Sequence, residues 1–223
     1  MQSATIVDFN APYDSLIRTA TMLYAKKFQR FAAIALLTTQ ILPAQASQLV
    51  QVVDSAGLAV ADAVVYFENG NAEKIKSANA EIQQKDKKFM PLVTVVQTGT
   101  SISFPNNDTV RHHAYSFSPA KTFELKLYAG KPEAPIIFDK PGTIVVGCNI
   151  HDQMLAYIQV VDTPYFAKTD ASGKARIASI PNGKYTLKTW HFKQMSGGAI
   201  SEQLVNIKDD NATITVKLGF KVN

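Results

Sequence analysis

Cys148, His151 and Met154 stand at three-residue intervals in the stretch GCNIHDQM, and an adjacent histidine pair, His112-His113, lies upstream. Cys148 is the only cysteine of the 223-residue chain. A thiolate with two imidazoles is a trigonal N₂S donor set, and a thioether can add a weak axial fourth ligand. That is the ligand chemistry of a blue-copper electron-transfer site. Soft sulfur favours Cu(I) and imidazole accepts Cu(II), so neither oxidation state gets its preferred shell. A fixed compromise lets one electron come or go with little nuclear rearrangement. The loop after the strand TIVVG can bring Cys148, His151 and Met154 together. One of His112 and His113 would then complete the set, because neighbouring residues on a strand face opposite ways.

Taken singly these residues mean little. A lone strand cysteine is usually a small buried hydrophobe, and a lone methionine usually fills a gap in the core. Their coincidence at this spacing is what points to a metal. Zinc also takes Cys and His, but a thioether ligand disfavours it. The remaining one of four histidines, His191 in TWHFK, has no partner motif and reads as structural. A filled four-ligand shell leaves no coordination position for a substrate, and no nucleophile–base pair is legible. The expected class is therefore not an enzyme.

Strands must position these ligands. LVQVVDSAGLAVADAVVYFE reads as two strands joined at Ser55-Ala56-Gly57, and PLVTVVQTGTSISFPN as two more with Gly99 at the turn. HHAYSFS, FELKLY, PIIFDKPGTIVVGC and LAYIQVVD continue the β-branched and aromatic pattern. No long segment beyond residue 46 has a 3.6-residue apolar period. The expected fold class is all-β, built as sandwiches.

The N-terminus carries Lys26, Lys27 and Arg30, then the apolar run FAAIALL, then Ala44-Gln45-Ala46. These are the parts of a secretory signal peptide, and the apolar run is too short for a comfortable membrane span. Residues 1–46 are thus expected to be a cleaved leader, with Met22 a candidate true start. Cleavage removes four of 23 basic and two of 18 acidic residues, leaving a net charge near +3. KDKK, Lys85 to Lys88, is the densest basic run and reads as a solvated loop or strand end. No aromatic-interleaved basic patch suggests nucleic acid. The expected location is the periplasm or another exported one, where an unpaired thiol is unusual.

SFPNNDTVRHHAYSF has F-x-N at Phe104 to Asn106, then a loop, then the histidine pair. KKFMPLVTVVQTGTSISF has F-x-P at Phe89 to Pro91, an edge strand and a glycine turn. With C-x2-H-x2-M at Cys148 to Met154, these pieces resemble the cupredoxins over about residues 80–162. The ligand loop is similar to the amicyanin-like members, and the Asn106 to His112 spacing to the plastocyanin-like ones. The resemblance implies a Greek-key β-sandwich with one type 1 copper held by His112, Cys148, His151 and Met154. His-His-Ala matches the family's His-Asn-aliphatic, so His113 takes the place of an asparagine that ties the two ligand loops together. Asp152 stands where amicyanin-like chains often have proline, and Arg111 sets a positive charge beside the ligand, which favours the reduced site.

Beyond Asp162-Thr163-Pro164 the pattern changes. T-D-x-x-G at Thr169 to Gly173 and I-P-x-G-x-Y-x-L at Ile180 to Leu187 resemble the carboxypeptidase regulatory-like, transthyretin-like β module. Its usual opening piece, V-x-D-x-x-G, lies at Val52 to Gly57. The expected layout is a cupredoxin domain at 78–162 inserted into a smaller β-sandwich made from 163–223 and completed by 47–77. Chains of this layout are often labelled methylamine utilization proteins. The implied function is an exported blue copper protein that carries single electrons between redox partner proteins, a donor and an acceptor. The alternative is a periplasmic copper-handling or copper-sensing protein.

Overall fold

A computed structural model of the chain describes residues 46–70, 78–132, 134–196, 200–208 and 212–222. The expected leader, apart from Ala46, lies outside the described residues, as do residues 71–77. No helix among the described residues is long and apolar enough to cross a membrane.

The β-branched segments form strands throughout. In chain order they are β1 (Ala46–Val53), β2 (Val64–Glu68), β3 (Asn79–Glu81), β4 (Gln83–Lys85), β5 (Lys88–Met90) and β6 (Val93–Gln97). Next come β7 (Thr100–Ser103), β8 (His112–Ser118), β9 (Lys121–Tyr128), β10 (Ile136–Phe138), β11 (Gly142–Gly147) and β12 (Leu155–Val161). The last are β13 (Phe166–Lys168), β14 (Lys174–Ile180), β15 (Gly183–Trp190), β16 (Ser201–Ile207) and β17 (Ile214–Lys217), with a 3₁₀ turn at Phe192–Ser196. The fold is all-β.

Four sheets build two sandwiches. In the larger, β10-β7-β3 faces β6-β12-β11-β8-β9 across a core that includes Phe104, Phe138, Ile144, Ile158 and Cys148. The hairpin β4–β5 contributes Phe89 to the same core. In the smaller, β14-β1-β17 faces β13-β2-β15-β16 around Val52, Phe67, Ile177 and Leu187. β1 and β2 therefore share the smaller sandwich with strands more than a hundred residues downstream. The chain crosses between sandwiches after Val161, whose pairing with Gln97 gives way to that of Phe166 with Tyr66.

β1 and β2 are not a hairpin: they lie in opposite sheets, as do β6 and β7 around Gly99. Turn residues reverse the chain in both cases, but burial decides the partner. Val60 and Ala63, between β1 and β2, are buried in the smaller core, so the connection arches over it. The short strands β3, β4, β5 and β13 carry too few alternating residues to stand out in sequence.

The T-D-x-x-G turn shows why the sequence folds locally as it does. Asp170 Oδ1 accepts the amides of Ser172 (2.8 Å) and Lys174 (3.0 Å), an Asx-type turn. Gly173 has φ +73 and its carbonyl accepts the Val52 amide at 2.8 Å. A Cβ at Gly173 would lie 2.6 Å from the Val52 carbonyl oxygen, so only glycine fits.

β12 is buried on both faces. Ala156, Ile158 and Val160 enter the larger core, while Tyr157 and Val161 meet Val64, Tyr66 and Trp190 of the smaller sandwich. Tyr157 stacks on Phe192 with ring centroids 5.0 Å apart. Two-sided burial explains why LAYIQVV is apolar apart from Gln159, itself buried, whose Oε1 accepts from Thr143 Oγ1 at 2.7 Å.

Candidate metal centre

Two loops at one end of the larger sandwich supply the residues. His112 is the first residue of β8, after the loop that follows β7. Cys148 follows β11, and His151 and Met154 lie in the turn to β12. His112, Cys148 and His151 come together with one potential ligand atom from each lying within 4.8 Å of the others. The His112 and His151 rings are 5.1 Å apart, inclined at 64°.

The polar atoms here are unusual. His112 is fully buried and His151 half-buried, and the Nδ1 atom of each is buried with no hydrogen-bond partner. A buried nitrogen without a partner costs about 1–3 kcal/mol. Two of them beside one buried thiol form a set of lone pairs that a metal would satisfy. A soft sulfur with two imidazole nitrogens fits copper. Met154 is fully buried in the same cluster as Cys148, and its amide donates to the His151 carbonyl at 2.9 Å, closing the turn.

Neighbouring residues hold these groups in place. Asn106 Nδ2 donates to the carbonyls of Val110 (2.9 Å) and Tyr128 (2.8 Å), and Asn106 Oδ1 accepts the Asp108 amide (3.0 Å). Asp108 Oδ2 accepts from His112 Nε2 at 2.6 Å. Burial works against the Asp108 charge, but the Lys87 amide, the His112 ring and the Asp86 amide together hold its carboxyl below the usual aspartate range. Burial pushes the Tyr128 phenol up to about 12, against its hydrogen bond with Gln84 and with a further contribution from the Cys148 charge.

His113 does not join the group. Its Nδ1 hydrogen-bonds Asn149 Oδ1, so it ties the β8 end to the Cys148 loop. Gly147 lets Tyr115 close over this edge, since a Cβ there would sit 3.1 Å from the phenol ring. His191 follows β15 of the smaller sandwich, its ring against Phe192 and Phe220. Asp108 and Tyr128 went unnoticed in sequence. The clue to Asp108 was the polar run Asn106-Asn107-Asp108, four residues ahead of His112.

His151 opens onto a hollow of about 420 Å³ lined by Lys87, Lys88, Phe89, Leu92 and Leu155. Leu92, Leu155 and, on the ligand loop, Ile150 are exposed. The run Lys85 to Lys88 is solvent-exposed, at the ends of β4 and β5 and the turn between them. A larger hollow of about 580 Å³ lies against β15 and β16 and contains none of the candidate ligands.

No protein-family model and no curated protein matches this sequence. Among solved structures, similarity is found to a copper-containing nitrite reductase from Thermus scotoductus, 24% identical over 43% of this chain and 25% of that one, with a TM-score of 0.36. A purple cupredoxin from Nitrosopumilus maritimus is 19% identical over 37% of this chain and 99% of that one, with a TM-score of 0.33. A pseudoazurin from Sinorhizobium is 20% identical over 39% and 76%, with a TM-score of 0.31. This chain spans a quarter of the reductase. Each likeness covers less than half of the present chain.

Proposed function

We propose that this chain is an exported electron carrier of the cupredoxin kind, with one type 1 copper held by His112, Cys148 and His151 and weakly by Met154. The observation that carries this reading is the pair of partnerless buried Nδ1 atoms beside a lone buried thiol. Bound there, copper supplies one-electron chemistry between Cu(I) and Cu(II).

The residues would serve that chemistry in three ways. His112 and Cys148 sit at the ends of paired strands, which resist rearrangement when charge changes. The core cluster around Met154 keeps water from the sulfur side. His151 reaches the hollow rimmed by Leu92 and Leu155, where a redox partner protein would dock. In this reading the site domain, 78–162, is inserted into a carboxypeptidase regulatory-like module made from 47–77 and 163–223. A chain cleaved after Ala46 would lose only the first residue of β1.

The half-exposed His151 also suits a copper-handling protein, which must release metal. Reversible reduction with fast electron self-exchange favours the carrier; transfer of the metal to an acceptor favours the alternative. The first experiment is to add Cu(II) to the chain from Ser47 onward and record its visible spectrum. The expected result is an intense blue thiolate-to-copper band, lost in Cys148→Ser. A colourless protein that prefers zinc overturns the reading.

A further inference from the structure

We propose that Asp108 is a positioning residue for His112, fixing which ring nitrogen can bind the metal and tuning the oxidation state it favours. This inference rests on the metal site proposed above.

One carboxylate serves three donors. Asp108 Oδ2 accepts from His112 Nε2 at 2.6 Å and from the Lys87 amide at 3.0 Å, and Oδ1 accepts the Asp86 amide at 2.7 Å. The Asp108 side chain is 12% exposed and that of His112 is 0% exposed, so neither partner can be replaced by bulk water without rearrangement. An imidazole whose Nε2 donates to a carboxylate carries its proton there and presents the lone pair on Nδ1. Nδ1 of His112 is the atom left without a partner. A carboxylate behind a ligating imidazole fixes the ring plane and raises its donor strength. Extra negative charge favours Cu(II) over Cu(I), opposite in sign to the effect expected of Arg111.

The other two donors link His112 to the rim of the His151 hollow. Asp86 and Lys87 form the turn between β4 and β5, and both have positive φ, 52 and 56. Backbone in this region is unfavourable for side chains other than glycine, and the Asp108 oxygens take up the amides of both residues. Lys87 itself lines the hollow. The buried ligand and the surface that would meet a partner are thus braced by one side chain.

The test has two arms. In the first, ¹⁵N NMR of the metal-free wild-type protein reads the His112 tautomer. A proton on Nε2 is expected, and a proton on Nδ1 overturns the proposal. Because this arm uses no metal, it stands even if the protein fails to take copper, which would sink the functional reading instead. In the second arm, Asp108→Asn keeps the side-chain size and one acceptor oxygen but removes the charge. Competition titrations should show Cu(II) affinity lowered by about 10–100-fold. Voltammetry should show a higher reduction potential, by about 59 mV for each tenfold loss of Cu(II) over Cu(I) affinity. A folded Asp108→Asn protein with wild-type affinity and potential overturns the proposal. If the variant does not fold, the wild-type tautomer decides.

Discussion

Two buried histidines show how the two sandwiches differ. In the smaller sandwich, His191 has its Nδ1 taken by the Lys193 amide at 3.3 Å, a hydrogen bond to the Ala61 backbone, and its ring 4.5 Å from that of Phe192. Nearby, Thr169 Oγ1 accepts the Ala63 amide (2.9 Å) and donates to the Val60 carbonyl (2.7 Å). Asp54 accepts amides from Ala56 and Leu58 on one oxygen and from Val222 on the other. In the larger sandwich His112 is as deeply buried, yet its Nδ1 has no partner and its ring belongs to a group containing a thiol. Paired polar groups stabilise a fold; buried nitrogens left without partners cost stability, and in the proposed function a metal would satisfy them. The same residue type is hydrogen-bonded in one sandwich and, in the other, part of the group proposed to hold a metal.

The comparison is broken most directly by truncating one histidine from each side. His151→Ala should lower copper affinity at least about 100-fold while leaving the metal-free melting temperature nearly unchanged, because its Nδ1 makes no hydrogen bond to lose. His191→Ala should do the reverse, costing about 1–3 kcal/mol of stability by orphaning buried backbone groups with copper affinity within twofold. Titration and thermal unfolding of both variants check this; equal losses of affinity would erase the distinction.

Thr169→Val should cost about 1–3 kcal/mol in chemical denaturation, since it strips a buried bridge without changing shape much. A neutral result would show that satisfied polar groups do not hold the smaller sandwich together. Met154→Leu conserves volume and should cost less than about 1.5 kcal/mol, yet shift the visible spectrum and raise the reduction potential. An unchanged spectrum would reduce Met154 to core filling.

The smallest effect is on pH dependence. Burial lowers the His191 pKa, partly opposed by its hydrogen bond to the Ala61 backbone. The unfolded chain then binds this proton more readily than the folded one, so stability falls as pH drops below the ordinary histidine value near 6.5. Melting curves of the metal-free protein between pH 8 and 5 should show that decline, and it should be shallower in His191→Gln. An unchanged slope would remove His191 from the pH response.

Legibility followed chemistry and locality. Cys148, His151 and Met154 could be picked out because three soft or borderline ligands on a seven-residue loop are rare by chance. Alternation along a strand allowed only one of His112 and His113 to join, the family resemblance pointed to His112, and the structure gives His113 a hydrogen bond to Asn149 instead. Asp108 was not legible: an aspartate in a polar loop is ordinary until its carboxylate is seen to meet His112 and the β4–β5 turn. The partners of β1 were half legible, through the separated V-x-D-x-x-G and T-D-x-x-G pieces. That β1 and β2 lie in opposite sheets was not, because a turn sequence specifies a reversal and not which strand pairs next.

The sequence by itself determined the candidate donor residues, the all-β class and the turn chemistry. These depend on residue type and on neighbours a few positions away. Only the tertiary structure decided which nitrogen of His112 is open, which carboxylate stands behind it, and how β12 is buried on both faces. Those properties arise from residues brought together by non-local strand pairing, where burial rather than sequence distance sets which polar groups find partners.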